Sequence, residues 1–190
     1  MKKILSLFAI SAIVLGMASC GEGNEPEAEV KIPSGFVDLG LPSKTLWYSI
    51  STSYNFISYP TYVNTLNEKK KQAENKYMQI PTKADWEELR NECTWKWQYP
   101  FTIQGVSTEK AYVVMGKNGN CIFLPAIGKH GQGSNKDVRD SKGHYWMLHD
   151  QYDTETAVQF GEDKNSFEFY GEADGWDLCF CWVFKIKAKG

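Results

Sequence analysis

The three histidines are the residues whose chemistry could most directly serve a metal ion or a proton transfer. They are His130, His144 and His149, and Asp140 and Asp150 lie close to them in the chain. Zinc hydrolases place two histidines four residues apart on one helix face, as in HExxH, and this chain has no such spacing. His144 and His149 are five residues apart, so on an extended strand they would point to opposite faces. We therefore predict no metal site.

The cysteines offer a second kind of chemistry. Cys179 and Cys181 stand two apart in an apolar run. On a strand they would share a face with Cα atoms roughly 6.5–7 Å apart, at or beyond the usual limit for a disulfide. We interpret them as buried free thiols that pack as small hydrophobic side chains. A bridge from either one to Cys93 or Cys121 stays open, because four cysteines allow three pairings. Neither covalent nor redox catalysis is predicted.

Phosphate and nucleic-acid ligands are both disfavoured. The stretch GKHGQGS, which starts at Gly128, has the glycines of a phosphate loop. It has neither the GxxxxGK[ST] order nor a strand before it and a helix after it. The formal net charge is −2, with 21 basic and 23 acidic residues, whereas a nucleic-acid surface needs clustered positive charge. We expect no nucleic-acid partner and no cofactor.

Aromatic and polar side chains in the second half of the chain are better candidates for recognition. Tyr and Trp supply large, rigid contact area with a hydrogen-bonding tip, which suits binding of a sugar or a protein. The set comprises Tyr145, Trp146, His149, Tyr152, Phe169, Tyr170 and Trp176. We assign Trp146 to the core and treat surface and core as equally open for Tyr152, Tyr170 and Trp176. The candidate ligand-binding residues are His149, Asp150, Tyr152, Tyr170 and Trp176.

The N-terminus has the anatomy of a bacterial lipoprotein signal. Lys2 and Lys3 precede an apolar run, and Met17-Ala18-Ser19 lead into Cys20. Small residues directly before a cysteine suit the lipoprotein signal peptidase, so we predict a signal peptide over 1–19 and lipidation of Cys20. Segment 20–34 is acidic and lacks aromatic residues, which predicts a tether. Its glutamates resemble the surface-export signal of Bacteroidota lipoproteins, so the expected location is the outer membrane, anchored by lipid and facing the exterior.

The remaining stretch, 35–190, has the size of one domain and begins with helical signals. Thr82 with Asp85 three residues on approximates a capping box, and Trp86, Leu89 and Cys93 then share one face. This pattern predicts a helix over about 82–93. The segment 61–78 is compatible with a helix or a loop, because its apolar side is thin.

Strand signals dominate the rest of the domain. Trp95 and Trp97 alternate in CTWKWQY, and Asn118-Gly119 between two apolar runs predicts a hairpin whose central residues both tolerate positive φ. We expect a long surface loop over 128–143. Strands are predicted at 111–115, 121–124, 144–148, 156–160, 166–170 and 178–184. The last is continuously apolar, so we place it centrally in the sheet. The predicted class is α+β, with one or two early helices and a twisted antiparallel sheet.

Five motifs occur in an order that resembles a known family. They are VDLGLPSKTLW (37–47), IPTKADWEEL (80–89), NECTWKW (91–97), GKNGNCIFLPAIG (116–128) and GHYW (143–146). Together they resemble the major paralogous domain first named from Fibrobacter surface proteins and abundant in Bacteroidota lipoproteins. The resemblance covers nearly all of 36–184.

The resemblance implies a C-type lectin-like fold, related to the sulfatase-modifying-factor domains, for 35–190. In such domains the first and last strands pair near the termini, and a long loop region carries the ligand surface. FVDLGLPSKTLW would then form the opening strand and a tight turn, with the bend at Gly40 and Pro42 and with Trp47 filling the core. The tripeptide Glu-Pro-Asn, which binds calcium and sugar in true C-type lectins, is absent from the domain, and Gly175-Trp176-Asp177 only faintly resembles their Trp-Asn-Asp element.

The expected function is a non-enzymatic, surface-displayed binding module that presents loops 128–143 and 149–177 to an unknown glycan or protein ligand. Two alternatives stay open. One is an enzyme related to formylglycine-generating factors, although the cysteine pair of those proteins has a wider spacing than Cys179 and Cys181. The other is a structural or fimbria-associated subunit of the cell surface, which should carry a donor-strand segment.

Overall fold

A computed structural model gives the architecture of the domain. It describes residues 31–49, 56–99, 101–103, 106–108, 110–131, 137–138, 142–150, 152–163, 166–172 and 175–186. The predicted signal peptide, Cys20 and the tether up to residue 30 lie outside this part of the chain, as do 132–136 and 139–141 of the predicted long loop. No helix within the described part is long and apolar enough to cross a membrane.

The described residues form an α+β structure, which confirms the predicted class. The helical elements are α1 (Tyr59–Lys70), the 3-10 turn η1 (Ala73–Asn75) and α2 (Lys83–Glu92). The strands are β1 (Phe36–Asp38), β2 (Leu46–Tyr48), β3 (Met78–Gln79), β4 (Thr94–Gln98), β5 (Phe101–Ile103), β6 (Val106–Thr108), β7 (Ala111–Met115), β8 (Cys121–Pro125), β9 (Lys129–Gly131), β10 (Asp137–Val138), β11 (Gly143–Trp146), β12 (Ala157–Phe160), β13 (Glu168–Tyr170), β14 (Trp176–Asp177) and β15 (Val183–Phe184).

The strands pair antiparallel in several small sheets rather than in one. A four-stranded sheet has the order β1-β2-β15-β3, and three-stranded sheets have the orders β4-β7-β8, β11-β12-β13 and β10-β9-β14. Strands β5 and β6 form a separate two-stranded antiparallel sheet. The prediction of one long surface loop over 128–143 is wrong. The described residues of this segment include the strands β9 and β10 and the first residue of β11.

The opening stretch folds as the sequence predicts. Gly40 has φ +70° and donates its N–H to the carboxylate of Asp38 at 2.7 Å, and a backbone bond of 3.0 Å from Lys44 to Leu41 closes the turn that contains Pro42. Strand β2 then carries Trp47 into the core, where it is fully buried. An expectation from the resemblance is wrong, because β15 pairs with β2 and β3 and not with β1.

Both early helices are present. In α2 the Thr82 hydroxyl accepts the N–H of Asp85 while the Asp85 carboxylate accepts the N–H of Thr82, so the predicted capping box is confirmed. Helix α1 begins two residues before the predicted segment, with Pro60 in its first turn, where a missing N–H costs nothing. It ends at Lys70, and η1 follows, so the helix does not extend over the predicted range.

The hairpin of β7 and β8 is confirmed, but its turn differs from the expected one. Five residues, 116–120, connect the strands, and only Gly119 among them has positive φ. Asn118 instead donates its side-chain amide to the carbonyl of Asp38 at 2.9 Å and accepts the N–H of Asn120. The asparagine thus ties the hairpin to β1.

The last apolar run lies centrally but is not one continuous strand. Only β15 pairs in the four-stranded sheet, where it lies between β2 and β3. Upstream, Leu178 bridges Ile57, and Cys179 exchanges backbone hydrogen bonds with the β11 residues His144 and Trp146. The run changes partners along its length, which explains why it is apolar throughout although its β15 portion is short.

Two large hydrophobic clusters and a small third one at Ala111 and Val113 form the core of the described residues. The larger is centred on Trp47 and Trp86, whose rings meet edge to face at 5.1 Å. The second contains Trp146, Trp182 and Phe184 and lies against α1. Trp146 is 4% exposed, which confirms its assignment to the core.

Candidate functional site

The five candidate residues lie in two groups beside the second core cluster. His149, Asp150 and Tyr152 belong to the segment 147–156 that follows β11, called here the Tyr152 loop. Tyr170 and Trp176 lie with Lys129 and Glu172, which we call the Lys129 cluster. Tyr59, which contacts the Tyr152 loop, packs against the same buried cluster as Tyr170 and Trp176.

The Tyr152 loop turns sharply around a pair of aspartates. One carboxylate oxygen of Asp150 accepts the backbone N–H groups of Tyr152 at 2.7 Å and Asp153 at 3.1 Å. The Asp153 carboxylate accepts the N–H of Asp150 in return, at 2.9 Å. Side chains thus supply the hydrogen bonds that hold this turn. The turn presents the ring of Tyr152, which is 81% exposed.

Three contacts fasten the loop to the two helices. The backbone N–H of Leu148 donates to the carbonyl of Pro81 at 2.7 Å, just before α2. Lys83, the first residue of α2, pairs with Glu155. At the start of α1, the rings of Tyr59 and His149 lie 4.1 Å apart. A loop held at both ends, and in its middle by the side chains of Asp150 and Asp153, loses little conformational entropy when a ligand binds.

Tyr59 forms the inner wall of this region. Its ring meets buried Trp146 at 5.5 Å, and its hydroxyl lies 3.4 Å from the carbonyl oxygen of His149. Burial raises the pKa of the Tyr59 phenol above its usual value; the His149 hydrogen bond opposes part of this increase, and the negative charge of Asp153 adds a smaller increase. The phenol therefore stays protonated at neutral pH and acts as a hydrogen-bonding group.

The Lys129 cluster is an enclosed ion pair walled by aromatic rings. The ammonium of Lys129 lies 2.5 Å from the Glu172 carboxylate, and the two side chains are 18% and 6% exposed. The same ammonium lies 4.2 Å from the ring centroid of Trp176 and 5.6 Å from that of Tyr170. The Tyr170 hydroxyl also bonds His144 at 3.0 Å. Tyr170 and Trp176 are half-buried and hold β9, β13 and β14 together.

Sequence reasoning missed Lys129, Glu172 and Tyr59 as neighbours of the candidate residues. Lys129 and Glu172 stand 43 positions apart, and Tyr59 stands 90 positions from His149. Their residue types are ordinary for surface positions, so no local pattern signals the pairing. The aromatic content of the second half was the one usable signal, and it located only one side of each contact.

The thiols are poorly suited to nucleophilic chemistry. Burial raises the pKa of Cys179 to about 12 and that of Cys181 well above the usual value, while burial and nearby carboxylates raise the pKa of Cys93 to about 11. These three thiols and Cys121 are all free, so the interpretation of Cys179 and Cys181 as buried free thiols is confirmed. At neutral pH their reactive thiolate forms are scarce.

The histidines are not gathered at one centre. His130 lies 3.8 Å from the Asp177 carboxylate and stacks on Phe56, whereas His144 and His149 contact different tyrosines. Among the residues that the structure describes, no group of three or more His, Cys, Asp or Glu side chains could hold a metal ion.

No protein-family model, no curated protein and no solved structure matches this chain.

Proposed function

We propose that this protein is a lipid-anchored, non-catalytic binding module of the bacterial cell surface that recognises a glycan or protein ligand with its Tyr152 loop. The observation that carries the proposal is the presentation of Tyr152, an almost fully exposed aromatic ring on a turn held by its own aspartates and fastened to both helices. Because the backbone of the turn is already held, Tyr152 can meet a ligand at a small cost in conformational entropy.

The chemistry around Tyr152 suits recognition. A tyrosine gives rigid, amphipathic contact area at small entropic cost, since few of its torsions need to be ordered on binding. Leu148 is an exposed apolar neighbour in the loop, and Asp150 has a second carboxylate oxygen that can accept hydrogen bonds. The Tyr152 loop thus carries aromatic, apolar and acidic side chains within five positions of one another on a turn held by its own hydrogen bonds.

The fold and the location belong to the same proposal. We propose a C-type lectin-like fold and membership of the major paralogous domain family, supported by the opening turn at Gly40, the capped α2 and the antiparallel sheets. Lipidation at Cys20 would anchor the domain in the outer membrane, facing the exterior. The raised thiol pKa values and the separated histidines favour binding over catalysis.

A glycan array probed with the purified protein tests the proposal, run once with calcium and once with a chelator. The decisive comparison is Tyr152→Ala against Tyr99→Ala, because Tyr99 is a second exposed tyrosine, 66% accessible, and directly follows β4. We expect Tyr152→Ala to weaken ligand binding about 10-fold or more, as loss of an aromatic anchor does, and Tyr99→Ala to leave it unchanged.

Neither substitution removes buried contacts, so both proteins should keep the melting temperature of the parent. Equal weakening by the two changes, or ligand binding that survives Tyr152→Ala, would rule out the Tyr152 loop as the recognition surface. If no glycan binds but a surface protein is captured in a manner that depends on Tyr152, the ligand class is protein. Binding that requires calcium would favour a calcium-dependent lectin over a metal-independent binding module.

A further inference from the structure

The Tyr152 loop returns to the sheet through Thr154, Glu155 and Thr156, which we call the return arm. The loop connects β11 to β12, and at its base the N–H of Met147 donates to the carbonyl of Thr156 at 3.2 Å. The leaving side is held separately, by the bond from Leu148 to the chain just before α2. The place of the exposed Tyr152 ring therefore depends on what holds the return arm.

The end of β13 and the two residues after it run against the return arm. The Thr156 hydroxyl oxygen accepts the N–H of Glu172 at 2.8 Å, and the N–H of Thr156 donates to the carbonyl of Tyr170 at 2.9 Å. Between these bonds the chain passes so close that a Cβ at Gly171 would lie 2.5 Å from the carbonyl oxygen of Thr154. A glycine at this point therefore lets the two segments touch backbone to backbone.

The ion pair of Lys83 with Glu155 is a weaker support of the same arm. The two side chains are 45% and 39% exposed, so water and salt screen their attraction. The bond from Glu172 to the Thr156 hydroxyl is partly buried, and its acceptor is neutral. Without this acceptor, the N–H of Glu172 would lose a hydrogen bond at a place partly shielded from water. We therefore expect Thr156 to hold the arm more firmly than Glu155 does.

Glu172 is itself fixed by the Lys129 cluster. Its carboxylate lies 2.5 Å from the ammonium of Lys129 on β9, and its side chain is 6% exposed. The rings of Trp176 and Tyr170 enclose the same ammonium. A chain of contacts thus runs from β9 through Lys129 and Glu172 to Thr156 at the base of the Tyr152 loop.

We propose that Thr156 is a positioning residue for ligand recognition, and that the Lys129 cluster acts on the ligand through Thr156 rather than by contact. The effect on binding rests on the proposed function, whereas the positioning of the loop does not. A loop that is held before binding loses less conformational entropy when it binds. Loosening the return arm should therefore weaken binding although the Tyr152 ring is unchanged.

Amide hydrogen exchange followed by NMR tests the positioning without any ligand. Thr156→Val keeps the shape of the side chain but removes the acceptor, so exchange at the N–H groups of Glu172 and Met147 should rise about tenfold. The N–H of Leu148 should keep its rate, because its acceptor lies on the leaving side of the loop. Thr156→Ser keeps a hydroxyl and should restore the rates of the parent.

A general loss of stability would give a different pattern. It would accelerate exchange at Val183 in the central strand β15 together with Met147 and Glu172. Thr45→Val is the matched control, because Thr45 is 2% exposed and its hydroxyl oxygen accepts a bond of 2.8 Å from Ser43. This control should leave the rates at Met147 and Glu172 unchanged relative to Val183.

A further variant tests the part that Lys129 has in this arrangement. Lys129→Met removes the ammonium that holds Glu172 and should raise the exchange rate at Met147. If Lys129 acts through Thr156, adding Lys129→Met to Thr156→Val should raise that rate no further. An additional rise in the double variant would overturn the role of the Lys129 cluster.

Two results would overturn the positioning role of Thr156. One is unchanged exchange at Glu172 and Met147 in Thr156→Val, and the other is an equal rise at Val183. On the glycan array, Thr156→Val should give a signal at least about threefold lower than Thr156→Ser, and equal signals would overturn the link to recognition. If the exchange pattern holds but the parent gives no signal that depends on Tyr152, the proposed function is wrong and the positioning role stands.

Discussion

Asp85 joins the start of α2 to Lys185, the residue after β15, so substitution of Asp85 should lower the free energy of unfolding of the domain. One carboxylate oxygen accepts the N–H and the hydroxyl of Thr82, at 2.8 and 2.7 Å, and the other lies 2.7 Å from the ammonium of Lys185. The side chain of Asp85 is 5% exposed and that of Lys185 is 29% exposed. Asp85→Asn keeps the size and one acceptor but removes the charge.

The size of the loss follows from these contacts. Breaking a fully buried ion pair by removing one partner costs about 3–5 kcal/mol, but the partial exposure of Lys185 lets its ammonium reach water and lowers this cost. We expect Asp85→Asn to reduce the free energy of unfolding by about 2–3 kcal/mol. Asp85→Ala also removes the carboxylate half of the capping box, so that the N–H of Thr82 loses its acceptor, and should cost about 1 kcal/mol more.

Urea unfolding followed by tryptophan fluorescence measures the effect. With a slope near 2 kcal/mol per M, the midpoint should fall by roughly 1–1.5 M for Asp85→Asn without a change in slope. Lys117→Met is the matched control, because it breaks the exposed ion pair with Glu92 and should leave the midpoint where it is.

A double-mutant cycle identifies the partner. Lys185→Met combined with Asp85→Asn should cost less than the sum of the single changes, by about 1 kcal/mol or more, because both remove the same contact. Additive costs, or a midpoint for Asp85→Asn as high as that of Lys117→Met, would refute the view that this pair fastens α2 to the sheet.

Two further outcomes follow from the buried thiol and the β7–β8 hairpin. Burial raises the pKa of Cys179 from 9.0 to about 12 and so favours its protonated form in the folded state; its contribution to stability is present below pH 9 and is lost as pH rises toward 12. Between pH 9 and 10.5, the free energy of unfolding of the parent should therefore fall by up to about 2 kcal/mol more than that of Cys179→Ala. Denaturant titrations at each pH measure both, and an equal fall in the two proteins would contradict the raised pKa of Cys179. In the hairpin, a Cβ at Gly116 would lie 2.0 Å from the backbone oxygen of Leu39, whereas one at Gly119 would meet open space at φ +85°. Gly119→Ala should lower the free energy of unfolding by about 1–2 kcal/mol, and Gly116→Ala should lower it clearly more. If calorimetry gives the reverse order, the backbone at Leu39 moves to make room for the added methyl group.

Features that depend on a few neighbouring residues could be predicted from the sequence. The capping box needs only Thr82 and Asp85, three positions apart, and its side chains and N–H groups meet as soon as the first helical turn forms. The alternation of Trp95 and Trp97 placed both on one face, where each now meets Tyr112. The apolar runs of the second half predicted the strands β11, β12 and β13 for the same local reason.

Partner choice over long separations was decided only by the tertiary structure. The apolar run from Leu178 to Phe184 predicts burial, but hydrophobic free energy has no direction and does not say that Cys179 pairs with β11 while Val183 pairs with β2. The Asn118 amide bonds the Asp38 carbonyl because β1 passes beside the hairpin, and the two residues stand 80 positions apart, so no local pattern encodes this contact.

The same division holds for the candidate site. The sequence by itself determined the α+β class, the burial of Trp47 and Trp146, and an aromatic composition suited to recognition. The tertiary structure decided that Tyr152 is presented on a fastened loop, while Tyr170 and Trp176 are half-buried around Lys129. The physical reason is that exposure and ion pairing depend on which distant segments meet, and those meetings come from the packing of the whole chain rather than from any local pattern.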